Sequence, residues 1–179
     1  MDFLEFEKHD LYFDEPLSLA DENLLKSAAD AYPAKTAEQI LLSLHTRMPE
    51  SLIVIVALYR FYYYQHRYQE ALDIAARALD TSSSRLNLFV DWSELTESHL
   101  GQAVFVSMGL IRFYLFSLKA SAYLLLRTGE TEQAHARLKK IVELDPADQF
   151  GARFLFNLAE NELSVQQAQL HNIVSLFRR

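Results

Sequence analysis

The sequence predicts an all-α protein, and two features of the chain lead to that prediction. The 179 residues include only four glycines and four prolines, so residues that break helices are scarce. Leu, Ala, Glu, Gln and Arg, which favour helices, are also plentiful. Half of the residues are apolar and about a quarter are charged, so the chain is suited to one domain with a real core.

Helix starts and ends can be placed in chain order from local signals. Pro33 suits the first turn of a second helix, while Pro49 and Pro146 mark helix ends. Gly129 suits a helix C-terminus, and Thr131 after it is a plausible N-terminal cap. We expect helices at 20–31, 34–47, 51–65, 68–81, 99–128, 131–144, 147–162 and 165–177.

The helix predicted over 99–128 is elongated and central, and its apolar part is long enough to cross a membrane. Arg112 and Lys119 lie inside that apolar part, and each would cost roughly 2.5–3.5 kcal/mol at the bilayer centre. We therefore expect a long buried helix and no membrane span.

Composition narrows the classes of function. A net charge of −7 argues against a general nucleic-acid binder, because binding to phosphates needs a basic surface. The chain has no cysteine, and MDFLEFEKHD lacks the basic and then apolar order of a signal peptide. We expect a cytoplasmic protein. We find no pattern for a catalytic, cofactor or metal site, so we predict that the protein is not an enzyme.

A period of 34 residues divides the chain. Ala37 and Ala71 lie 34 residues apart, as do Ala134 and Ala168, and each alanine opens an amphipathic segment. Between Ala71 and Ala134 the separation is 63, so the register breaks across 82–114. The best unit, 115–148, has small or apolar residues at fixed places, namely Leu118, Ala122, Leu125, Gly129, Ala134, Leu138 and Pro146.

With these residues the chain resembles the tetratricopeptide repeat (TPR) family, whose unit is a 34-residue helix–turn–helix. The resemblance implies a superhelical stack of antiparallel helix pairs over 18–179, with repeats at 18–51, 52–85 and 115–148. Residues 149–179 look like a degenerate fourth unit or capping helix pair, and 82–99 like an irregular insertion. The family has a small residue at the eighth position of the first helix, where this chain has Leu25, Tyr59 and Phe156, and only Ala122 conforms.

The insertion carries Trp92, which we expect to hold it against the body. Glu94, Glu97 and His99 lie beside Ser and Thr residues, and we interpret them as helix-cap residues.

The aromatic stretch YRFYYYQHRYQEAL, Tyr59 to Leu72, has more rings than one helix face can bury. The resemblance assigns Tyr59 and Tyr62 to the partner helix of their own unit, and Phe61 to the preceding unit. It places the following residues on a concave inner surface: Arg60, Tyr63, Tyr64, Phe116, Lys119, Tyr123, Arg127, Arg153 and Asn157. Rings and cations together predict a peptide ligand with acidic and apolar residues.

The leading interpretation is a non-catalytic module that binds a peptide segment of another protein, as an adaptor or an assembly or secretion chaperone. One alternative is a homo-oligomer, such as a homodimer, that buries the apolar surface of the 99–128 helix and the tyrosines. Another follows from a second resemblance, to small bacterial TPR-like proteins associated with nitrogen fixation, through LKASAYLLLRTGE and LDPAD.

The amino-terminal tail, 1–17, is acidic and aromatic. Residues 2–15 contain six acids against one lysine, interleaved with apolar residues and rings. We consider two possibilities, a tail that lies along the body near the groove and a disordered acidic tail.

Overall fold

A computed structural model describes residues 15–176, with side chains described as far as residue 169. Within that range the chain forms α-helices and no strand, which confirms the all-α prediction. The helices are α1 Leu19–Asp30, α2 Lys35–Arg47, α3 Leu52–Tyr64, α4 Tyr68–Arg85, α5 Glu97–Ala103, α6 Met108–Thr128, α7 Thr131–Leu144 and α8 Arg153–Leu176. One 3₁₀ turn lies at Trp92–Glu94. Residues 1–14 of the predicted tail lie outside the described residues.

Each long helix packs on the long helices that precede and follow it, with the short α5 left out. Contacts join α1 to α2, α2 to α3, α3 to α4, α6 to α7 and α7 to α8, while α6 packs on α4 and α5 contributes little. Connections of two to four residues join the members of each pair α1/α2, α3/α4 and α6/α7, as in antiparallel helix hairpins. These pairs match the first three predicted units, and the superhelical TPR stack stays a prediction.

Repeated alanines lie where helices approach each other. Ala37, Ala71 and Ala134 are fully buried, because a small side chain lets two helices pack closely. Ala168 is exposed, so the fourth occurrence of the period has no packed counterpart. The core has two clusters, one among α1 to α4 and one among α6 to α8, and α6 contributes buried residues to both.

The helix predicted over 99–128 is two helices, so that prediction is wrong in its first third. Ser107 begins the second one, because its side chain accepts a hydrogen bond from the backbone N–H of Leu110 at 3.2 Å. Val104, Phe105 and Val106 form the turn between α5 and α6, and Phe105 is 92% exposed. The prediction failed here because these three residues continue the apolar pattern of the helix although they lie in an exposed turn.

The last two predicted helices, 147–162 and 165–177, are one helix, α8. The expected capping helix pair is therefore absent from the part of the chain that the structure describes. No glycine or proline interrupts 153–176, and the Ser164 hydroxyl donates to the Glu160 carbonyl at 2.9 Å within the same helix. Ser164 therefore continues the helix.

Among the described residues, α6 is the one helix with the length and hydropathy of a membrane span. Its buried side chains include Phe113, Leu118 and Leu124, and 61% of its most apolar window lies inside the protein. This burial is typical of the core helix of a globular domain, as the sequence predicts.

The connection between α4 and α6 is held against α7, as expected for Trp92. The Arg137 guanidinium lies 5.6 Å from the centre of the Trp92 ring, and Lys140 Nζ donates to the Leu95 carbonyl at 3.3 Å. Burial lowers the pKa of Arg137. His99 and Thr96 form a capping box at the start of α5, in which each side chain accepts from the other's backbone N–H.

At the other helix borders, Gly129 ends α6 in the left-handed conformation, with φ 87°, as predicted. Thr131 is the first residue of α7 and makes no cap bond, so its predicted role is wrong.

Candidate functional site

Helix α3 carries the aromatic residues, and its sequence explains why they spread around it. LIVIVALYRFYYY is almost wholly apolar, and eight of its side chains are buried, Tyr59, Phe61 and Tyr62 among them. The Phe61 ring meets the edge of Tyr32 at 6.0 Å, which joins α3 to the preceding pair as predicted. Arg60, Tyr63 and Tyr64 are the half-buried or exposed residues left at the end of the helix.

Tyr63 is the centre of a tyrosine cluster, which we define as Tyr59, Tyr63, Tyr64, Tyr68 and Tyr123. Its ring stacks on Tyr59 at 5.8 Å and meets Tyr64 at 5.5 Å. It also lies 6.4 Å from Tyr68, the first residue of α4, and 6.1 Å from Tyr123 of α6. The cluster therefore joins three helices on one surface, since aromatic pairs attract at 4.5–7 Å between centroids.

Arg127 adds a cation to this cluster. Its guanidinium lies 4.6 Å from the centre of the Tyr68 ring, and Nη1 donates to the Tyr123 hydroxyl at 3.0 Å. The bond to Tyr123 raises the pKa of Arg127, so the residue stays charged. Arg127 is exposed, and its guanidinium has five N–H donors, one of which is used in the bond to Tyr123. An acidic group can reach it without displacing a helix.

Arg60 and Tyr64 face a cavity of about 590 Å³ between α1, α2 and α3. We name it the Arg60 pocket. Its walls are mostly apolar, and the small side chains Ala28, Ala29 and Ala57 leave the space open. The described residues that line it are Leu25, Ala28, Ala29, Tyr32, Leu41, Ala57, Arg60, Phe61 and Tyr64. Mostly apolar walls with one charged group are typical of sites that hold an apolar side chain beside a carboxylate.

A second group of site residues lies where α6 meets the loop before α8. Phe116 and Phe150 meet edge to face at 5.1 Å, and Lys119 Nζ lies 5.6 Å from the centre of the Phe116 ring. Lys119 is 95% buried and donates to the Phe150 carbonyl. This lysine holds the loop, and its predicted contact with a partner stays a prediction.

Arg153 and Asn157 lie on the exposed side of the first turns of α8. Arg153 Nη2 donates to the Pro146 carbonyl at 3.0 Å, and its backbone N–H donates to Asp148 Oδ1 at 3.0 Å. Asn157 is exposed. The structure thus connects Tyr63, Tyr64, Tyr123 and Arg127 through direct contacts and places Arg60 next to them, with the Phe116 and Arg153 groups beyond.

Two residues at the site were not among the predicted partner-binding residues. Tyr68 was assigned to packing within its helix pair, yet its ring supports Arg127. Tyr32, in the turn between α1 and α2, is 44% exposed and forms one wall of the Arg60 pocket. The aromatic character of Tyr32, directly before Pro33, is the only sequence signal that could have drawn attention to it.

Among the described residues, no group of histidine and acidic side chains has the arrangement of a metal site. The tyrosine cluster and Arg127 offer aromatic faces and guanidinium donors, which can contact apolar and acidic groups.

An uncharacterized 19.8 kDa protein in the nifW 5′ region of Azotobacter chroococcum mcd 1 is similar to this chain. The two are 46% identical over 166 residues, which cover 92% of this chain and 93% of the Azotobacter protein. No family model matches the chain, and no solved structure matches it significantly. Identity of this extent across both chains establishes a common family.

Proposed function

Because the chain belongs to the same family as the Azotobacter chroococcum protein in the nifW 5′ region, we propose that it is an accessory protein of a bacterial nitrogen-fixation system. It acts without catalysis, by binding a segment of another protein, as an adaptor or an assembly chaperone. The position of the relative in the nifW 5′ region supports the nitrogen-fixation part of this proposal. The tyrosine cluster with Arg127 supports the binding role, and it is the observation on which that role depends.

The inner surface offers three properties that a peptide-binding site needs. The tyrosines provide large contact area at low side-chain entropy cost, and they hold one another in place. Arg127 is charged and exposed, and it is oriented by two rings. The Arg60 pocket provides depth for an apolar anchor. A partner segment with carboxylates and apolar or aromatic residues matches all three.

The binding role is tested by variants of exposed site residues. Full-length protein captures partners from cells of its native organism grown on dinitrogen or on ammonium, and each captured partner is then purified and titrated. We expect Tyr64→Ala with Arg127→Ala to lower affinity about 30-fold or more, since one interface hot spot contributes about 2 kcal/mol and the contributions of two neighbours are not additive. Lys139→Ala is the control, because Lys139 is exposed on α7, away from the site.

Equal affinities for the site variant and the Lys139→Ala control would reject the proposed binding surface. Capture that is the same on dinitrogen and on ammonium would count against the nitrogen-fixation role but not against binding. Circular dichroism spectra of each variant verify that the fold is kept.

A homo-oligomer is the second candidate. One observation favours it, but this observation concerns α8 and not the predicted surface of the 99–128 helix and the tyrosines. Helix α6 buries its apolar residues within the chain, so a second copy has little of it to cover. Helix α8 instead exposes Phe154, Leu158 and Val165 along one face. Light scattering over a range of concentrations tests this candidate. A constant monomer mass would exclude it, whereas a dimer that Leu158→Glu dissociates would support it.

A further inference from the structure

The Arg60 pocket has a definite chemical preference. Among the nine described side chains that line it, eight are apolar or aromatic and Arg60 alone carries a formal charge. None of the carboxylates within the described residues pairs with Arg60. An occupant that supplies a ring and a carboxylate would bury apolar surface and pair the guanidinium at the same time.

Glu15 fixes the point from which the amino-terminal segment departs. Its carboxylate accepts from the Ser51 hydroxyl at 2.8 Å and from the backbone N–H of Leu52 at 3.1 Å. It also pairs with Arg85 Nη1 at 2.5 Å. Residue 15 is therefore held at the N-terminus of α3, the same helix that lines the Arg60 pocket further along.

The distance from this anchor to the pocket is short. Ala57 and Tyr64 lie five and twelve residues beyond Leu52, which corresponds to about 8 and 18 Å along the helix axis. The fourteen residues before Glu15 span up to about 46 Å when extended. They are long enough to cover the Arg60 pocket and to continue onto the tyrosine cluster.

The composition of that segment matches the pocket. Residues 2–14 contain five acids and one lysine, and the rings of Phe3, Phe6, Tyr12 and Phe13 lie between them. Attachment through Glu15 also raises the concentration of the segment near the pocket into the millimolar range typical of short linkers. Weak intrinsic affinity is then sufficient for occupancy.

We propose that residues 1–14 bind in the Arg60 pocket and on the adjoining inner surface, and that a protein partner must displace them. This inference rests on the proposed function, because it adds an internal competitor to the partner site. A partner therefore has to present the same kinds of side chains as this segment, namely carboxylates and aromatic rings. The affinity for a partner is then reduced by the fraction of molecules in which the segment is bound.

Photo-cross-linking in the full-length chain tests the proposal. The photoreactive residue p-benzoylphenylalanine replaces Tyr64 at the pocket or, as the control, Phe105, which is 92% exposed on the turn between α5 and α6. Mass spectrometry of the digested monomer identifies the cross-linked peptide. We expect position 64 to link to residues 1–14 at least five times more than position 105 does, and Arg60→Glu to remove most of that difference.

A second measurement does not alter the pocket. Replacing the acids at positions 2, 5, 7, 10 and 14 by their amides leaves every described residue unchanged. We expect amide hydrogen exchange in α1 and α3 around the pocket to become at least threefold faster. Equal cross-linking at the two positions together with unchanged exchange would overturn the proposal, and so would links only between two copies.

Failure of this inference differs from failure of the proposed function. If residues 1–14 do not cross-link at the pocket but Arg127→Ala weakens a purified partner, the segment lies elsewhere and the binding role stands. If they do cross-link but no partner depends on Arg127 or Tyr64, the pocket serves the segment alone.

Discussion

Removal of the Glu15 carboxylate is expected to destabilise the fold more than removal of any surface charge. The carboxylate is 14% exposed and has three neutral or backbone donors, from Ser51, Leu52 and Ile53, besides the ion pair with Arg85. Hydrogen bonds to charged groups contribute about 1.5–3 kcal/mol, and a helix N-terminal cap about 0.5–2 kcal/mol. These contributions overlap, because Ser51 also caps α3 and Arg85 keeps its bond to the Glu50 carbonyl.

We therefore expect Glu15→Ala to lower the free energy of unfolding by about 2–4 kcal/mol, since only part of the summed contribution is lost. For a domain of this size, each kcal/mol corresponds to about 2–4 °C in melting temperature. Urea unfolding followed by far-ultraviolet circular dichroism measures the loss. Glu143→Ala is the matched control, because Glu143 is 48% exposed and pairs with Lys140 three residues before it on α7.

The control should lose less than about 1 kcal/mol, as exposed ion pairs do. A double-mutant cycle with Arg85→Ala should give a coupling energy of at least about 1 kcal/mol. If Glu15→Ala and Glu143→Ala lose the same amount, or if the cycle gives no coupling, Glu15 does not anchor the segment to α3 and the reasoning from its contacts is refuted.

Three further predictions concern single positions. Gly129→Ala should destabilise the fold by about 1–2 kcal/mol, because φ at this position is 87°. Gly101→Ala should stabilise it by up to about 1 kcal/mol, because the added Cβ lies in open space inside α5. Thermal unfolding of both variants checks these two expectations. Burial lowers the pKa of His45, so the unfolded state binds more protons and stability falls as the pH drops below about 6.5. His45→Asn should flatten this part of the stability profile in urea unfolding, and an unchanged profile would contradict the assignment. Arg127→Ala should change the free energy of unfolding by less than about 1 kcal/mol, because the side chain is exposed. A larger loss in urea unfolding would mean that the main role of Arg127 is to stabilise the fold and not to bind a ligand.

Sequence reasoning predicted the packed part of the fold well, because packing at helix crossings depends on residue size. Ala37, Ala71 and Ala134 are buried for that reason. The role of Gly129 at the end of α6 could be predicted because the left-handed φ at a helix C-terminus favours glycine. Phe61 could be assigned to the preceding pair through the TPR resemblance, and its contact with Tyr32 agrees with that assignment.

Errors arose where apolar character does not distinguish two environments. Val104, Phe105 and Val106 continue the apolar run of α6, yet they form a turn, and only the capping hydroxyl of Ser107 marks the border. Ala168 repeats the period, but no helix in the described part of the chain buries it. Periodicity identifies a candidate face, but burial of that face also requires a partner element.

The candidate site was predicted in the same partial way. The TPR resemblance implied that Arg60, Tyr63 and Tyr64 lie apart from the core, and in the structure they are half-buried or exposed near the end of α3. The sequence could not predict the Arg60 pocket, because the volume of the pocket depends on Ala28 and Ala29 of α1 lying opposite Ala57 of α3. It also missed Tyr68 under Arg127, since that contact joins residues 59 positions apart.

Helix α8 extends beyond the described residues that pack against its first turns. Ala159 is the last buried side chain among those described, and most side chains from 160 to 169 are exposed, although the helix continues to Leu176. Residues 160–169 therefore depend mainly on backbone hydrogen bonds within the helix, which are marginal for a short isolated helix. Its amides should exchange with solvent much earlier than those of α6. Slower exchange there in the presence of another protein would identify a second contact region, independent of the inner surface.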